Sequence, residues 1–372
     1  MEPQLPIGLV RLIGAIHAAL PDRLSLLGEA VSGLLEAWHR DSSVGTLRSL
    51  ATRYSERAGM PLDLEAGERV LQWLERPGHH LLVQSLPSYP PALAEVAKAP
   101  PVLFVDGRPE LLSGIQIAVV GSRRASAAGC QIARTLAGDL ARAGFAITSG
   151  LASGIDAAAH RGALEAGGYT VAVFGSGIDV IYPPAHRALA RQVAASGALV
   201  SEFPLGCRPA RHSFPRRNRV ISGLASGTLV VEAALGSGSL ITAREALEQG
   251  REVFAVPGSI LNPLSAGPHW LLRNGAALVE SAVDVLQELP GHVLQASNLI
   301  STQTIDCKIS DAAKRVLSAC GFEPTSFDAL VARSGLTPPE LSSILVALDI
   351  QGWVRAEAGG TYVLLKPLPE SA

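Results

Sequence analysis

Lysine is almost missing from this chain of 372 residues. It occurs only at Lys98, Lys308, Lys314 and Lys366, and arginine supplies the rest of the 31 positive side chains. The middle of the chain therefore has no lysine to serve as a P-loop phosphate ligand or a Schiff base. Cysteine is scarce as well. Cys130, Cys207, Cys307 and Cys320 form no CxxC pair, and no histidines stand near them at zinc-ligand spacing. That pattern argues against a disulfide framework or a metal site and for idle thiols. No apolar run is long enough to span a bilayer, and the first residues lack a basic segment followed by an apolar core, so no membrane association and a cytoplasmic location are expected. Net positive charge is absent too: the formal charge is −2, so any affinity for nucleic acid must rest on a local basic patch.

Two nucleotide signatures are missing. A dinucleotide fingerprint starting at Gly121 would need glycine where Arg123 and Ser126 stand, and no Gly-Lys-Ser/Thr occurs anywhere. No cofactor is expected.

What remains is a chain with 48% hydrophobic and 17% charged residues, which fits a packed protein of two or three domains. Residues 1–85 carry helical spacing, as in Leu9–Leu20 and Gly67–Leu74, and predict a small helical accessory domain of the SAM-like kind. A proline-rich stretch from Ser88 leads to the apolar run Val102–Val105, read as an edge strand. From Ile117 on, continuous apolar strands alternate with helices: Ile117–Val120, Phe145–Thr148, Val171–Phe174, Ala198–Ser201, Thr228–Val231 and Val253–Val256 are the strands. This alternation predicts an α/β domain over 86–290, Rossmann-like, with a mainly parallel sheet covered on both faces. Residues 291–308 are polar and irregular and read as a linker. In 309–368, three short helices precede a hairpin turning at Gly359-Gly360, the pattern of a winged helix. Its third helix, from Thr337 to Ile350, has no basic residue, which disfavours DNA reading by that helix.

The motifs that carry chemistry follow the strands. Gly121-Ser122-Arg123-Arg124 leaves the first strand of the alternation, where a close-approaching backbone, a helix N-terminus and arginines suit an anion. A plain strand-to-helix turn is the alternative. Gly236-Ser237-Gly238-Ser239 precedes another helix and offers backbone N–H groups to a phosphate. The sharpest feature is the run from Arg208 to Arg219, where Arg211, Arg216, Arg217 and Arg219 crowd around Phe214 and the prolines suggest an extended loop. Arginines neutralise phosphates, and a ring accepts a stacked base, so a nucleic-acid surface is expected there. Asp156 and His160, four residues apart, invite a hydrolase reading with Ser153, but pairing with each other on one helix face is simpler. Glu232, at a strand end, suits a catalytic base or a helix cap equally. No catalytic residue is assigned. The apolar segment from Trp270 to Val279 follows the last clear βα unit, where a sheet flank should remain uncovered, and a second copy is its simplest cover.

Taken in order, these motifs resemble the DNA-processing protein A family (DprA, also called Smf), from about Ser88 to Leu286. The pieces are Ser88-Tyr89-Pro90, Pro101-Val102-Leu103-Phe104, Val119–Arg123, Ser149–Ala152 with Gly154-Ile155-Asp156 and His160, Tyr182-Pro183, Ser201-Glu202, Phe214-Pro215 with Arg217-Asn218-Arg219, Val231-Glu232-Ala233, Ser237–Leu240 and Val256-Pro257-Gly258. The resemblance implies a non-enzymatic protein that binds single-stranded DNA, dimerises through the end of the Rossmann-like domain and loads the RecA recombinase during natural transformation. It carries DNA contacts to Arg123, Arg211, Phe214, Arg217, Asn218 and Arg219. The residues themselves add Gly121, Ser122, Arg124, Ser237, Gly238 and Ser239. Dimer contacts fall on His269, Leu272 and Leu278. Family members often have arginine where Ser153 stands, so one backbone contact is lost here or supplied by Arg124. The competing reading is a nucleotide-binding or nucleoside-monophosphate-cleaving enzyme on a related fold, in the manner of cytokinin-activating phosphoribohydrolases.

Overall fold

The computed structural model describes residues 5–41, 43–289, 311–321, 323–350, 353–357 and 360–365. The expected linker at 291–308, Cys307, Gly359 and the last residues of the expected winged helix lie outside them.

Four helices open the chain: α1 (Ile7–Ala19), α2 (Leu24–Arg40), α3 (Val44–Arg57) and α4 (Leu64–Leu74). The Ser43 hydroxyl accepts from Thr46 N at the start of α3, and the Asp63 carboxylate accepts from Ala66 N at the start of α4, so both helices begin at capped ends. Next come β1 (His79–Val83), α5 (Pro91–Ala94), β2 (Val102–Gly107), β3 (Gln116–Val120), α6 (Ala127–Arg142), β4 (Ala146–Ser149), α7 (Ile155–Glu165), β5 (Thr170–Gly177), α8 (Arg187–Ser196) and β6 (Ala198–Phe203). The chain continues through α9 (Ser213–Leu224), β7 (Gly227–Val230), α10 (Gly238–Glu248), β8 (Glu252–Ala255), α11 (Ala266–Arg273), β9 (Ala277–Leu278) and α12 (Ala282–Glu288).

These strands form one nine-stranded sheet in the order β1-β2-β6-β5-β4-β3-β7-β8-β9. Only the β1–β2 and β2–β6 pairs are antiparallel. The central parallel strands are buried on both faces, which is why they read as continuous apolar runs. Within β3 the period of two still sorts the side chains: Ile117 and Val119 pack towards α6 and α7, while Ala118 and Val120 face the core under α9 and α10. The opening helices pack with α8 on the first of these faces, around Phe104 of β2, whose ring lies 5.5 Å from His17 and 5.6 Å from Trp73.

Three expectations are corrected. The run Val102–Val105 is no edge strand, because β1 covers it; the prolines that suggested an edge precede the strand rather than interrupt it. β1 itself arises inside the stretch read as wholly helical. The run from Arg208 to Arg219 is not an extended loop throughout, since α9 begins at Ser213. Pro215 sits in the first turn of α9, where its missing N–H would have had no partner in any case.

The C-terminal unit has α13 (Asp311–Ala319), β10 (Thr325–Ser326), α14 (Phe327–Ser334), α15 (Pro338–Ile350), β11 (Val354–Glu357) and β12 (Thr361–Leu364). Its small sheet runs β10-β12-β11 and closes over Val316, Leu330, Leu341, Leu345 and Val354, giving the expected winged helix. Among the described residues no helix is long and apolar enough to cross a membrane.

Candidate nucleic-acid interface

The parallel sheet starts at its centre. From β3 the chain moves outward through β4, β5 and β6, then returns to β7 on the other side of β3. At such a reversal the loops leaving the two central strands diverge and open a crevice at the carboxyl ends. A cleft of about 750 Å³ lies there. It is lined by the turn after β3 (Gly121 to Arg124), by Ala152 and Asp156 after β4, by Tyr182 after β5, and by Arg211, Phe214, Arg217 and Asn218 before and on α9. Ser237, Gly238 and Ser239 at the start of α10 complete the wall.

The turn after β3 is fixed from behind. Ser122 N donates to Glu232 O (2.6 Å), and Ser122 O accepts from Ile155 N (3.2 Å). Gly121 has to be glycine, since a Cβ would lie 2.9 Å from Glu232 O and 2.5 Å from Ile155 Cγ1. Ser126 caps α6 by accepting from Gly129 N (2.9 Å), as its position in the sequence suggests. The Glu232 carboxylate backs this cap: its oxygens accept from Ser126 N (2.8 Å), Ser126 Oγ (2.7 Å) and Asn262 Nδ2 (3.2 Å). A Cβ on Gly129 would run into it. Of the two roles the sequence allowed Glu232, this geometry is that of the cap.

Cationic groups outnumber anionic ones on the lining. Arg123, Arg124 and Arg211 are exposed, whereas Arg217 is buried. Arg217 donates to Gly150 O (2.9 Å) and to Val173 O, so its guanidinium ties the ends of β4 and β5 together. Burial lowers its pKa to about 10, against the pull of nearby Asp156, and it remains charged at neutral pH. Asp156 is the one carboxylate of the lining. It accepts from Gly150 N (3.1 Å) and Ala152 N (3.3 Å), and burial raises its pKa against the opposing effect of Arg217. Its expected pairing with His160 does not form. His160 turns the other way, and its Nδ1 meets Thr170 Oγ1 (2.7 Å). The Thr170 hydroxyl donates to Ile147 O, so Nδ1 of His160 is the donor to Thr170.

The aromatic part is better developed than the sequence showed. The Arg123 guanidinium lies 4.7 Å from the centroid of the Phe214 ring. The Tyr182 ring is 5.8 Å from Phe214, tilted by 44°, and Tyr182 is 45% exposed. Tyr182 was not among the expected site residues. Its signal was its place, since every loop that follows a parallel strand reaches the same end of the sheet. Gly175 gives Phe214 room, because a Cβ there would lie 3.0 Å from its ring.

Asn218 reaches across to donate to Gly238 O (3.2 Å), and Ser237 caps α10 by accepting from Ser239 N (3.3 Å). One expected contact is absent from the cleft. Arg219 points to the opposite side of α9, is 5% exposed and binds Glu202 at 2.6 Å. Outside the cleft lining, Leu278 on the edge strand β9 is exposed, Leu272 is half-buried, and His269 shares a 2.9 Å hydrogen bond with Gly258 O. No cluster of potential metal ligands exists among the described residues.

The cleft, then, offers arginines, two rings and helix N-termini. Comparison with known proteins identifies the family. A family model described as DNA recombination-mediator protein A matches residues 80–290, and one for the DprA winged helix domain matches 303–360. The chain is 43% identical over 332 residues to protein Smf of Escherichia coli K12, covering 88% of each. It is 40% identical over 271 residues to DNA processing protein DprA of Bacillus subtilis 168, covering 70% of this chain and 91% of that one. The X-ray structure of DNA processing protein A from Streptococcus pneumoniae superposes with a TM-score of 0.62 at 34% identity, covering 77% of this chain and 99% of that one. A Helicobacter pylori structure, described for its single-stranded DNA binding mode, superposes at 0.51 with 28% identity, covering 56% and 94%.

Proposed function

The chain belongs to the DNA recombination-mediator protein A family, and on that basis we propose that it binds single-stranded DNA in the switch-point cleft and does not chemically alter it. The observation that carries this reading is the stack of Arg123 on Phe214 beside Tyr182, within a lining whose exposed charges are arginines. A ring that stacks a base without reading its edges, next to cations that meet phosphates, suits single strands of any sequence. Duplex DNA keeps its bases stacked inside and offers no face to Phe214. Gly121, Ser122, Arg123, Arg124, Arg211, Phe214, Asn218, Ser237, Gly238 and Ser239 form the contact surface. Tyr182 joins them, and Arg217 holds the floor. Arg219 is left out, because its guanidinium is engaged behind α9.

The biological role we assign is protection of incoming single strands and loading of the RecA recombinase in natural transformation, in the cytoplasm. His269, Leu272 and Leu278 are assigned to a two-fold homodimer contact beside β9, which would set two strand sites on one particle. The opening helices of the expected 1–85 domain and residues 309–368 are assigned to accessory domains, with the linker at 291–308 before the second; β1 (His79–Val83), although inside 1–85, belongs to the central sheet. The winged helix suits protein contact or weak duplex binding, because its third helix lacks cations. The competing enzymatic reading has no support at Glu232, both of whose oxygens serve the α6 cap. Competition binding tests the assignment: tight binding of a thymidine oligomer, not displaced by mononucleotide, is expected. Cleavage of a nucleoside monophosphate that depends on Glu232 would overturn it.

A further inference from the structure

α9 has two working faces. Phe214, Arg217, Asn218 and Ile221, spaced i, i+3, i+4 and i+7, line the cleft. Arg216 and Arg219 lie about opposite, where both guanidinium groups converge on one carboxylate oxygen of Glu202, at the end of β6. Arg216 Nε is 3.2 Å from it and Arg219 Nη2 is 2.6 Å from it. The Glu202 side chain is 1% exposed. Arg216 also reaches Asp22, between α1 and α2, at 2.8 Å and lies over the Phe203 ring. The backbone of the same residue is held from the other side, by His17 Nε2 of α1 on Glu202 O (3.0 Å). One buried residue thus joins three parts: the opening helices, the sheet and the helix that carries the stacking ring.

We propose that Glu202 is a positioning residue for single-strand binding, with Arg216 and Asp22 extending its grip to the opening helices. α9 starts only one residue before Phe214 and has no side-chain cap. Arg216 in its first turn and Arg219 in its second hold it from behind, while Arg217 and Asn218 hold it on the cleft side. Releasing Arg216 and Arg219 lets the first turn drift, and Phe214 leaves its place under Arg123. Glu202 itself touches no DNA in this arrangement. The inference rests on the single-strand reading above.

The sign of the effect separates positioning from simple electrostatics. Glu202→Gln removes a negative charge behind the helix that lines a polyanion site. If charge alone mattered, the full-length variant would bind single strands more tightly. Positioning predicts weaker binding, by about tenfold, the scale of losing one stacked base. It also predicts that Phe214→Ala adds little further loss in the Glu202→Gln background, since the ring is already misplaced; a residue that merely stabilises the fold would leave the two losses additive. Should Glu202→Gln fail to fold, Asp22→Asn decides by the same sign, because the Asp22 side chain is 70% exposed and its loss disturbs no core. A few-fold weakening is expected there. Equal or tighter binding by the folded variant, or additivity with Phe214→Ala, would overturn the proposal. Failure of the unaltered chain to bind single strands would instead overturn the preceding reading, and the positioning role with it.

Discussion

The Arg123 guanidinium lies 4.7 Å from the centroid of the Phe214 ring, bringing together the turn after β3 and the first turn of α9. A base stacking on Phe214 would meet a ring already shaped and charged from one side. Phe214→Ala should cost about 1–3 kcal/mol of single-strand affinity, and Phe214→Trp should retain most of it. Fluorescence anisotropy with a labelled oligothymidine measures both. Unchanged affinity in a folded Phe214→Ala protein would show that the ring only packs.

Tyr182 contributes from the side. Its ring neighbours Phe214 at 5.8 Å and remains 45% exposed, so Tyr182→Ala should fold normally and lose about 1 kcal/mol of affinity. The same titration checks it. A loss of thermal stability with full binding would place Tyr182 in the structure rather than the interface.

Two buried histidines contribute to the acid sensitivity of the fold. Burial is the main cause of the lowered pKa of both, to about 4 for His17 and about 3 for His160, against 6.5 unfolded. The unfolded chain therefore binds more protons below pH 6.5. The stabilisation from keeping these rings neutral is present above that value and is lost as pH falls towards 4 and 3. Each ring contributes up to about 1.4 kcal/mol per pH unit in this window. Urea unfolding from pH 7 to 5 should show falling stability, with a shallower slope for His160→Gln. A flat profile would contradict the assignment.

Self-association is expected through the flank of β9. Leu272→Arg should yield a folded monomer that binds long strands less well and short ones almost normally, because two linked sites raise effective concentration only on a strand that reaches both. Sedimentation at micromolar concentration decides. A monomeric parent chain would defeat the dimer, and global unfolding of the variant would make Leu272 a core residue.

The α/β core was legible because strands such as Ile117–Val120 are apolar on both faces, and because Ser126 and Gly144 mark the ends of one helix. The Gly121–Arg124 turn was legible for the same reason, as it follows such a strand. α9 was not. Its arginines and Pro215 have loop composition, and nothing local reveals that Arg217 has backbone carbonyls to bind or that Arg219 has Glu202 waiting at the end of β6. Burial of a charge depends on its partner, and here each partner comes from another strand. β1, with two histidines in five residues, offers only the short apolar run Leu81–Val83, and it is placed by pairing with β2 and by burial of Leu82 and Val83.

The central claim is single-strand binding by a cationic, stacking cleft, and its most direct test is a titration of single-stranded and blunt duplex oligonucleotides across salt concentrations. The account predicts tighter binding of single strands with little sequence preference. If about four phosphates are neutralised, log K should fall with log salt at a slope near −3. Equal affinity for the blunt duplex, or affinity independent of salt, would contradict it.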